Sequence, residues 1–321
     1  MARRVATAVL RSSAVNCAVR AIARLRGHQL VLVYHRLGPV LASEYEIVPT
    51  VPVDVFRAHL QALGEVVDLV ALDEVVARSG GSRRRPTVAV TFDDDLLSHV
   101  EHALPVLQQS RVRAAFFLSG RALHGCGPYW FQQLEALLST YGAARTATLL
   151  AVPDAPATIL ATVCEQRADV RRRVNELAAQ LPQPDMLGPS AIHALGAAGM
   201  TVGFHTVDHD QMLSLDDPAL ADAVCRGRNE LAAAAGTSVN YFAYPHGKAD
   251  VRAAAAVRRA GYAAAFTGNA RPIRRGDDPH CYGRWEPGPL TVDDLLVNLA
   301  VRLHRASPGG SRPLESWTSA S

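Results

Sequence analysis

Residues 87–95 read TVAVTFDDD, an apolar run that ends in three consecutive carboxylates. A short run of β-branched and aromatic residues predicts a buried strand. Like charges this close repel one another and burial raises the cost, so a metal, arginines or open solvent must offset them. Asp95 could simply cap a following helix, a position that aspartate favours. Because that role accounts for one aspartate and not for three, the triplet indicates a functional site at the end of this strand.

Six further runs of the same kind alternate with helical or turn-rich stretches, as in a chain of βα units. They cover residues 29–35, 113–118, 200–205, 240–245, 262–267 and 281–285. Seven strands predict an α/β fold, a barrel one unit short of the eight-stranded form. Barrel enzymes carry their catalytic groups at the carboxyl ends of the strands, and the unusual polar clusters of this sequence fall there.

The segment from about 121 to 190 breaks the strand rhythm. Its apolar residues between Trp130 and Leu138 follow helical spacing, and a second charged helical pattern runs from Ile159 to Leu181. We predict a helical insertion that caps or borders the barrel mouth. The sequence then divides into a basic N-terminal helix, a barrel with this insertion and a flexible tail rich in Ser, Pro and Gly, at residues 1–27, 28–305 and 306–321.

Charge and cysteine content exclude several classes of partner. Seven arginines precede the first acid, Glu44, and the remaining chain is mildly acidic, which argues against nucleic-acid binding. The five cysteines are scattered without a CxxC pair, as in a reducing compartment. The apolar run from Val5 to Leu10 is short for a signal peptide, and no stretch reaches the roughly 18 apolar residues of a membrane span. We therefore expect a cytoplasmic location.

The basic N-terminal helix has two interpretations. Within residues 4–26 an apolar face combines Val15, Val19, Ile22 and Leu25, with Arg20 and Arg24 off that face. Such a helix packs across the base of the barrel, or it binds weakly to an anionic membrane surface. The second interpretation makes the protein peripheral to the membrane.

A pair of histidines follows the strand at 200–205. His205 and His209 are four residues apart, so on a helical turn they share one face and reach a common ion, and imidazole suits zinc and its neighbours. An HxxxH pair alone is a weak signal, because such pairs also occur by chance on helix surfaces. Combined with the aspartates on a neighbouring strand end, it predicts a site of two histidines and one carboxylate, with open positions for water and substrate.

Several motifs in this order resemble the polysaccharide deacetylase (NodB-homology) family, carbohydrate esterase family four. They are YHR at 34–36, TFDD at 91–94, AFF at 115–117, HTVDH at 205–209 and FAYPHG at 242–247, and the resemblance covers about 29–290. It implies a distorted (β/α)7 barrel and a metal-dependent hydrolase that removes an N-acetyl group from an acetamido-sugar, glycan or glycoside, releasing acetate. The alternatives are another non-peptide C–N hydrolase on this barrel and a non-catalytic sugar-binding relic.

The resemblance also implies roles for individual residues. Asp93 matches the catalytic base, and Asp94, His205 and His209 match the ligands of a divalent metal, with zinc expected. Tyr244, Pro245 and His246 match a groove wall that contacts substrate and offers a backbone N–H to an oxyanion. We assign His246 to catalysis, and Tyr244, Pro245, Trp285 and His35 to substrate binding.

Three departures from the family pattern matter. Asp95 replaces the usual glycine after the aspartate pair. Ala243 stands where many members carry an arginine that orients the base, and Arg284 is the replacement we expect. The late Leu-x-x-His motif of the family, which supplies the general acid, has only a poor match at 301–304. His35 and His246 are the other candidates, and the sequence does not choose between them.

The substrate class follows only in outline. Few aromatic residues occur outside Trp130, Tyr244 and Trp285, so no long stacking platform for a polymer is evident. We expect an intracellular acetamido-sugar, lipid-linked or part of a glycoside precursor. The sequence does not indicate an oligomeric state.

Overall fold

A computed structural model describes residues 14–25, 27–39, 46–77, 85–152, 168–182 and 186–304. Its strands are β1 (Gln29–Tyr34), β2 (Arg36–Leu37), β3 (Thr50–Val51), β4 (Asp68–Leu69), β5 (Thr87–Asp93), β6 (Ala115–Leu118), β7 (Thr201–Phe204), β8 (Tyr241–Ala243) and β9 (Ala264–Phe266). The main sheet is parallel in the order β1-β5-β6-β7-β8-β9, with β4 also paired to β5. Strands β2 and β3 form a separate parallel pair.

The two edges of the main sheet meet through the segment predicted as the seventh strand. Tyr282 bridges to Phe266 of β9, and Trp285 bridges to Leu32 of β1, both in parallel. The N–H of Trp285 donates to the Val31 carbonyl at 2.8 Å. Because one end of the segment pairs with β9 and the other with β1, neither ladder is long enough to form a strand. The predicted distorted (β/α)7 barrel is confirmed, with two bridges in place of its last strand.

Helices surround the sheet and connect successive strands. They are α1 (residues 14–22), α2 (Val53–Val66), α3 (Leu72–Ala77), α4 (Leu104–Ser110), α5 (Trp130–Leu150), α6 (Ala168–Ala178), α7 (Pro189–Ala197), α8 (Asp217–Ala223), α9 (Arg228–Ala235), α10 (Val251–Arg259) and α11 (Val292–His304). Aspartates cap two of them: Asp216 accepts from Ala219 N–H before α8, and Asp250 accepts from Ala253 N–H before α10. No described helix is long and apolar enough to cross a membrane.

Alternation along the strands separates an outer layer from the barrel interior. Every residue of β1 and β5 is buried, as expected of a parallel sheet covered on both faces. Val88 and Val90 belong to the core under the helices, whereas Ala89 belongs to a second core with Val31 and Phe117 inside the barrel. Side chains on a strand alternate between faces. Asp93, four residues after Ala89, therefore points into the interior at the carboxyl end of β5.

The described part of the N-terminal helix packs against the barrel. Ala18 and Ile22 are buried in the core under the helices, with Leu25 half-buried beside them. Packing therefore accounts for α1. Residues 1–13, which carry the rest of the predicted helix, and the tail at 306–321 lie outside the described residues.

Most of the described residues of the segment between β6 and α7 are helical, whereas residues 153–167, where the charged pattern from Ile159 to Leu181 begins, lie outside the described residues. Its helices α5 and α6 share a small core of their own, which includes Leu134, Leu137, Val170 and Val174. Apart from an isolated bridge between Met186 and Leu96, none of the described residues from 121 to 190 pairs with a strand. Helix α5 begins at Trp130, next to the carboxyl ends of the strands.

Candidate active site

A turn at the end of β5 brings two consecutive carboxylates to one cavity. Asp94 has a left-handed backbone, with φ of 72°. Adjacent residues in an extended strand would point to opposite faces. The change of direction at Asp94 instead lets Asp93 and Asp94 both line the cavity at the barrel mouth.

His205 and His209 converge through a loop. Thr206 and His209 have left-handed backbones, with φ of 58° and 52°, and these angles are incompatible with a right-handed helical turn. The N–H of His209 donates to Thr206 Oγ1 at 3.2 Å, and the two imidazole centroids are 4.9 Å apart. The helical turn predicted from the four-residue spacing is wrong, but the convergence that it was meant to explain is present.

Asp94, His205 and His209 fit a divalent metal. Asp94 Oδ1 lies 3.7 Å from His205 Nε2 and 3.5 Å from His209 Nε2, and ligand atoms of all three residues lie within 4.8 Å of one another. Asp94 Oδ1 is buried and has no hydrogen-bond partner among the described residues. Two imidazoles and one carboxylate with open positions are a donor set of catalytic zinc sites.

The protonation of these groups also suits a metal. His205 Nδ1 lies 2.8 Å from the Ala243 carbonyl, and because a carbonyl can only accept, Nδ1 carries the proton and Nε2 keeps its lone pair. Burial lowers the pKa of both His205 and His209, which keeps them neutral. Burial raises the pKa of Asp94 to about 7. A nearby cation would restore its ionisation.

Arg284 lies against Asp93. Its Nη1 and Nη2 atoms donate to the two carboxylate oxygens, both at 2.6 Å, and Nη1 also approaches Thr91 Oγ1 at 3.3 Å. Arg284 is only 2% exposed. Burial raises the pKa of Asp93, but the charge and hydrogen bonds of Arg284 outweigh it and lower this pKa to about 2. Asp93 is therefore ionised at neutral pH, with both oxygens oriented.

Asp95 faces away from the other two aspartates. It accepts hydrogen bonds from Ser119 N–H at 2.9 Å, from Ser119 Oγ at 2.6 Å and from Arg121 N–H at 3.0 Å. It is completely buried. Asp95 therefore joins the end of β5 to the turn after β6, and it does not cap the helix that follows it in sequence.

The histidine after β1 has a carboxylate partner that sequence reasoning missed. His35 Nδ1 lies 2.9 Å from Glu286 Oε1, and both residues line the cavity. Burial lowers the pKa of His35, but the hydrogen bond and charge of Glu286 prevail and raise it to about 9. Glu286 follows a predicted strand, which is the one sequence signal that it had.

His246 has the opposite electrostatics. Its ring centroid is 4.8 Å from that of His209, and its backbone is left-handed, with φ of 58°. The residue is exposed at the cavity, but desolvation by the surrounding protein, followed by the charges of His205 and Arg171, lowers the pKa of His246 to about 4. It lines the cavity as a neutral imidazole.

The cavity has a volume of about 410 Å³ and one apolar wall. This wall comes from the loop before β3 and from the start of α5, and consists of Ile47, Val48, Pro49, Trp130 and Phe131. Glu135 of α5 holds the two parts together, since it accepts from the N–H groups of Ile47 and Val48 at 2.7 and 3.0 Å and pairs with Arg36 at 2.6 Å. The helical insertion thus supplies part of the cavity.

Some predicted site residues lie elsewhere. Tyr244 is completely buried and donates its hydroxyl to the His280 carbonyl at 2.9 Å, and Pro245 and Trp285 are also buried outside the cavity lining. Their positions do not support side-chain contacts with substrate, because each packs into the protein just behind the rim. His304, at the end of α11, is exposed on the surface.

Several solved structures share this fold, two of them deacetylases. IcaB from Ammonifex degensii is 24% identical, with a TM-score of 0.59 over 86% of this chain and 97% of that chain. The Streptococcus pyogenes deacetylase PplD, solved in complex with acetate, is 16% identical, with a TM-score of 0.58 over 84% and 96%. A de-N-acetylase from Aggregatibacter actinomycetemcomitans is 14% identical, with a TM-score of 0.56 over 83% and 95%. At these identities the similarity establishes the fold.

Sequence comparison identifies the family. No curated protein matches the chain. The family model described as polysaccharide deacetylase matches residues 80–265, which is more than half of the chain and includes the aspartate triplet, His205, His209 and the FAYPHG stretch. The chain therefore belongs to the polysaccharide deacetylase family.

Proposed function

We propose that this protein removes the N-acetyl group from an acetamido-sugar of a glycan or glycoside and releases acetate, with a divalent metal held by Asp94, His205 and His209. Zinc is the expected ion, given two imidazoles and one carboxylate. One observation carries the proposal. Of two adjacent buried carboxylates, Asp93 forms an ion pair with Arg284, whereas Asp94 faces two neutral imidazoles. This is an arrangement for one base and one metal ligand.

Hydrolysis of an amide is slow for two reasons. An amide carbonyl is a poor electrophile, and an amine is a poor leaving group. When bound, the ion supplies Lewis-acid polarisation of the carbonyl and activation of water. The protein must add a base, an acid and a donor for the developing oxyanion.

Asp93 is the base in this proposal. Its low pKa keeps it ionised, and the bidentate contact with Arg284 fixes its orientation. It lies next to the ligand group, with Oδ2 3.9 Å from His205 Nε2. Asp93 would take the proton from the attacking water. Arg284 would orient this base, as an arginine does in many family members at the position where this chain has Ala243.

His35 is the better of the two candidates for the general acid. An acid must be protonated at working pH. The Glu286 partner favours the imidazolium of His35, whereas desolvation by the surrounding protein and neighbouring positive charge disfavour that of His246. His35 would donate its proton to the departing nitrogen, and Glu286 would hold the ring and stabilise its charge.

The stretch at 244–246 offers one backbone donor for the oxyanion. The N–H of Tyr244 already donates to the Phe266 carbonyl at 3.0 Å, and proline has no N–H. His246 is therefore the residue of this stretch whose N–H we assign to the oxyanion. Its left-handed backbone at the cavity wall supports this role.

The substrate proposal rests on the apolar wall. Trp130 and Phe131 offer apolar surface beside the polar groups, which suits a sugar face or an adjoining apolar group. This supports a lipid-linked acetamido-sugar or a glycoside over a long polymer. We also retain the cytoplasmic location as a proposal.

Acetate release tests the proposal. Purified protein is incubated with N-acetylglucosamine oligomers, N-acetylated glycosides and simple amides, with and without chelator, beside Asp93→Asn as a control. We expect acetate from one or more acetamido-sugars, lost on chelation and in the variant. Hydrolysis of amides without acetate would indicate another C–N hydrolase, and binding without turnover would indicate a sugar-binding relic.

A further inference from the structure

The imidazole of His209 lacks the hydrogen bond that orients its fellow ligand. His205 Nδ1 donates to the Ala243 carbonyl, whereas His209 Nδ1 is buried without a hydrogen-bond partner in the part of the chain that the structure describes. A metal-binding histidine is normally held by an acceptor at its second ring nitrogen. The His209 ring must therefore be held in another way.

Two aromatic rings from the start of α5 pack across His209. The Tyr129 centroid lies 5.3 Å from that of His209 at an interplanar angle of 69°, and the Phe131 centroid lies 5.9 Å away at 67°. Tyr129 and Phe131 stack on each other at 5.0 Å. Near-perpendicular rings in a buried site restrict the rotation of the imidazole between them.

The Tyr129 ring is anchored in turn, and the anchor ends at Asp95. The Tyr129 hydroxyl lies 2.8 Å from Ser119 Oγ, which lies 2.6 Å from Asp95 Oδ2. All three residues are completely buried. A carboxylate only accepts, so the Ser119 proton goes to Asp95 and the Tyr129 proton goes to Ser119. The direction of the chain is thereby fixed.

A second branch from Asp95 reaches the loop that carries the ligands. Asp95 accepts from Arg121 N–H, and Arg121 Nη1 donates to the Val207 carbonyl at 2.7 Å, between the two histidines. The Arg121 guanidinium also lies 4.8 Å from the Tyr129 ring centroid. Both the ring of His209 and its backbone loop are thus connected to one buried carboxylate.

We infer that Asp95 is a positioning residue for the metal centre, acting on His209 through Ser119 and Tyr129. The inference rests on the metal centre of the proposed function and deepens it. Asp95 stands where the family usually has glycine. Through Ser119 and Tyr129 it restrains the His209 ring, which has no direct hydrogen bond at Nδ1 among the described residues. Asp95 is neither a ligand nor a base.

Zinc affinity without substrate tests this inference. Chelator-treated protein is titrated with zinc against a competing chelating dye, for the wild type, Tyr129→Phe, Asp95→Asn and the double variant. Tyr129→Phe removes one oxygen and keeps the ring. Tyr141→Phe is the matched control, because it makes the same change on an exposed residue of α5.

We expect Tyr129→Phe and Asp95→Asn each to weaken zinc binding about tenfold, the lower end of the range for residues that support a ligand. The double variant should be no weaker than the weaker single variant, because the two act in one chain. Tyr141→Phe should match the wild type. Thermal unfolding of the metal-free proteins is measured in parallel, since a merely structural role lowers the melting temperature and leaves the zinc dissociation constant unchanged.

Wild-type zinc affinity in Tyr129→Phe would overturn the inference, even if Asp95→Asn failed to fold. Multiplicative effects in the double variant would also overturn it. A wild type that binds no zinc would instead refute the metal centre, and with it the proposed function.

Discussion

Replacing Arg284 with methionine removes a buried charge while keeping an unbranched, flexible apolar side chain. The guanidinium makes two 2.6 Å hydrogen bonds to Asp93 and is 2% exposed, so water cannot take its place without rearrangement. Breaking a buried pair by removing one partner typically costs about 3–5 kcal/mol of stability. Asp93 can avoid part of this cost by taking up a proton.

The neighbouring Asp94 indicates how far the pKa of Asp93 would move. The pKa of Asp93 is about 2 beside Arg284, whereas burial raises that of Asp94 to about 7. Without Arg284, the pKa of Asp93 rises from about 2 towards that of Asp94. The base works only above its pKa, so the acidic limb of the kcat profile should move up towards neutral pH. With a pKa near 7, about one molecule in ten would carry the ionised base at pH 6, so kcat at this pH should fall about tenfold and recover as the pH rises.

Acetate release between pH 5 and 9 measures this effect. Arg258→Met is the matched control, since Arg258 makes a two-point contact with Asp278 at 2.8 and 2.9 Å on the surface. The control should keep the wild-type profile. If Arg284→Met kept its acidic limb in place and its kcat within a few fold of the wild type, Arg284 would neither lower the pKa of the catalytic base nor orient it.

Three other changes probe separate parts of the site and the N-terminal helix. Asp93→Asn should keep its metal and lose about 10²- to 10⁴-fold in kcat, and full activity with full metal content would require another base. Glu286→Gln should bring the pKa of His35 down from about 9 towards its usual 6.5, so the alkaline limb should move to lower pH, and an unmoved limb would argue against His35 as the acid. Deleting residues 2–13 removes Arg3, Arg4 and Arg11 and should weaken co-sedimentation with anionic vesicles by about 1 kcal/mol for each arginine, and unchanged binding would rule out the membrane interpretation.

Strand-end chemistry was readable from the sequence because it depends on local pattern. The alternation of β5 places Asp93 in the interior, and the same carboxyl-end rule locates His205 and Arg284. The pairing of successive strands also follows from the sequence, because consecutive βα units usually lie side by side in the sheet.

Other parts of the site depend on contacts that no local pattern encodes. The His35 and Glu286 pair joins residues 251 positions apart. The left-handed backbones of Thr206 and His209 follow from the loop's surroundings, so spacing alone predicted a helical turn there. Tyr244 was misjudged because an aromatic residue at a strand end has the same sequence pattern whether it faces the cavity or, as here, the protein interior.

Zinc titration of chelator-treated protein, with acetate release followed at each addition, tests the central claim most directly. We predict that the rate rises with bound zinc and saturates at one equivalent, and that His205→Ala neither binds that equivalent nor releases acetate. Undiminished acetate release after metal removal, or equal zinc binding in the wild type and His205→Ala, would contradict the assignment of Asp94, His205 and His209 as the metal centre of a deacetylase.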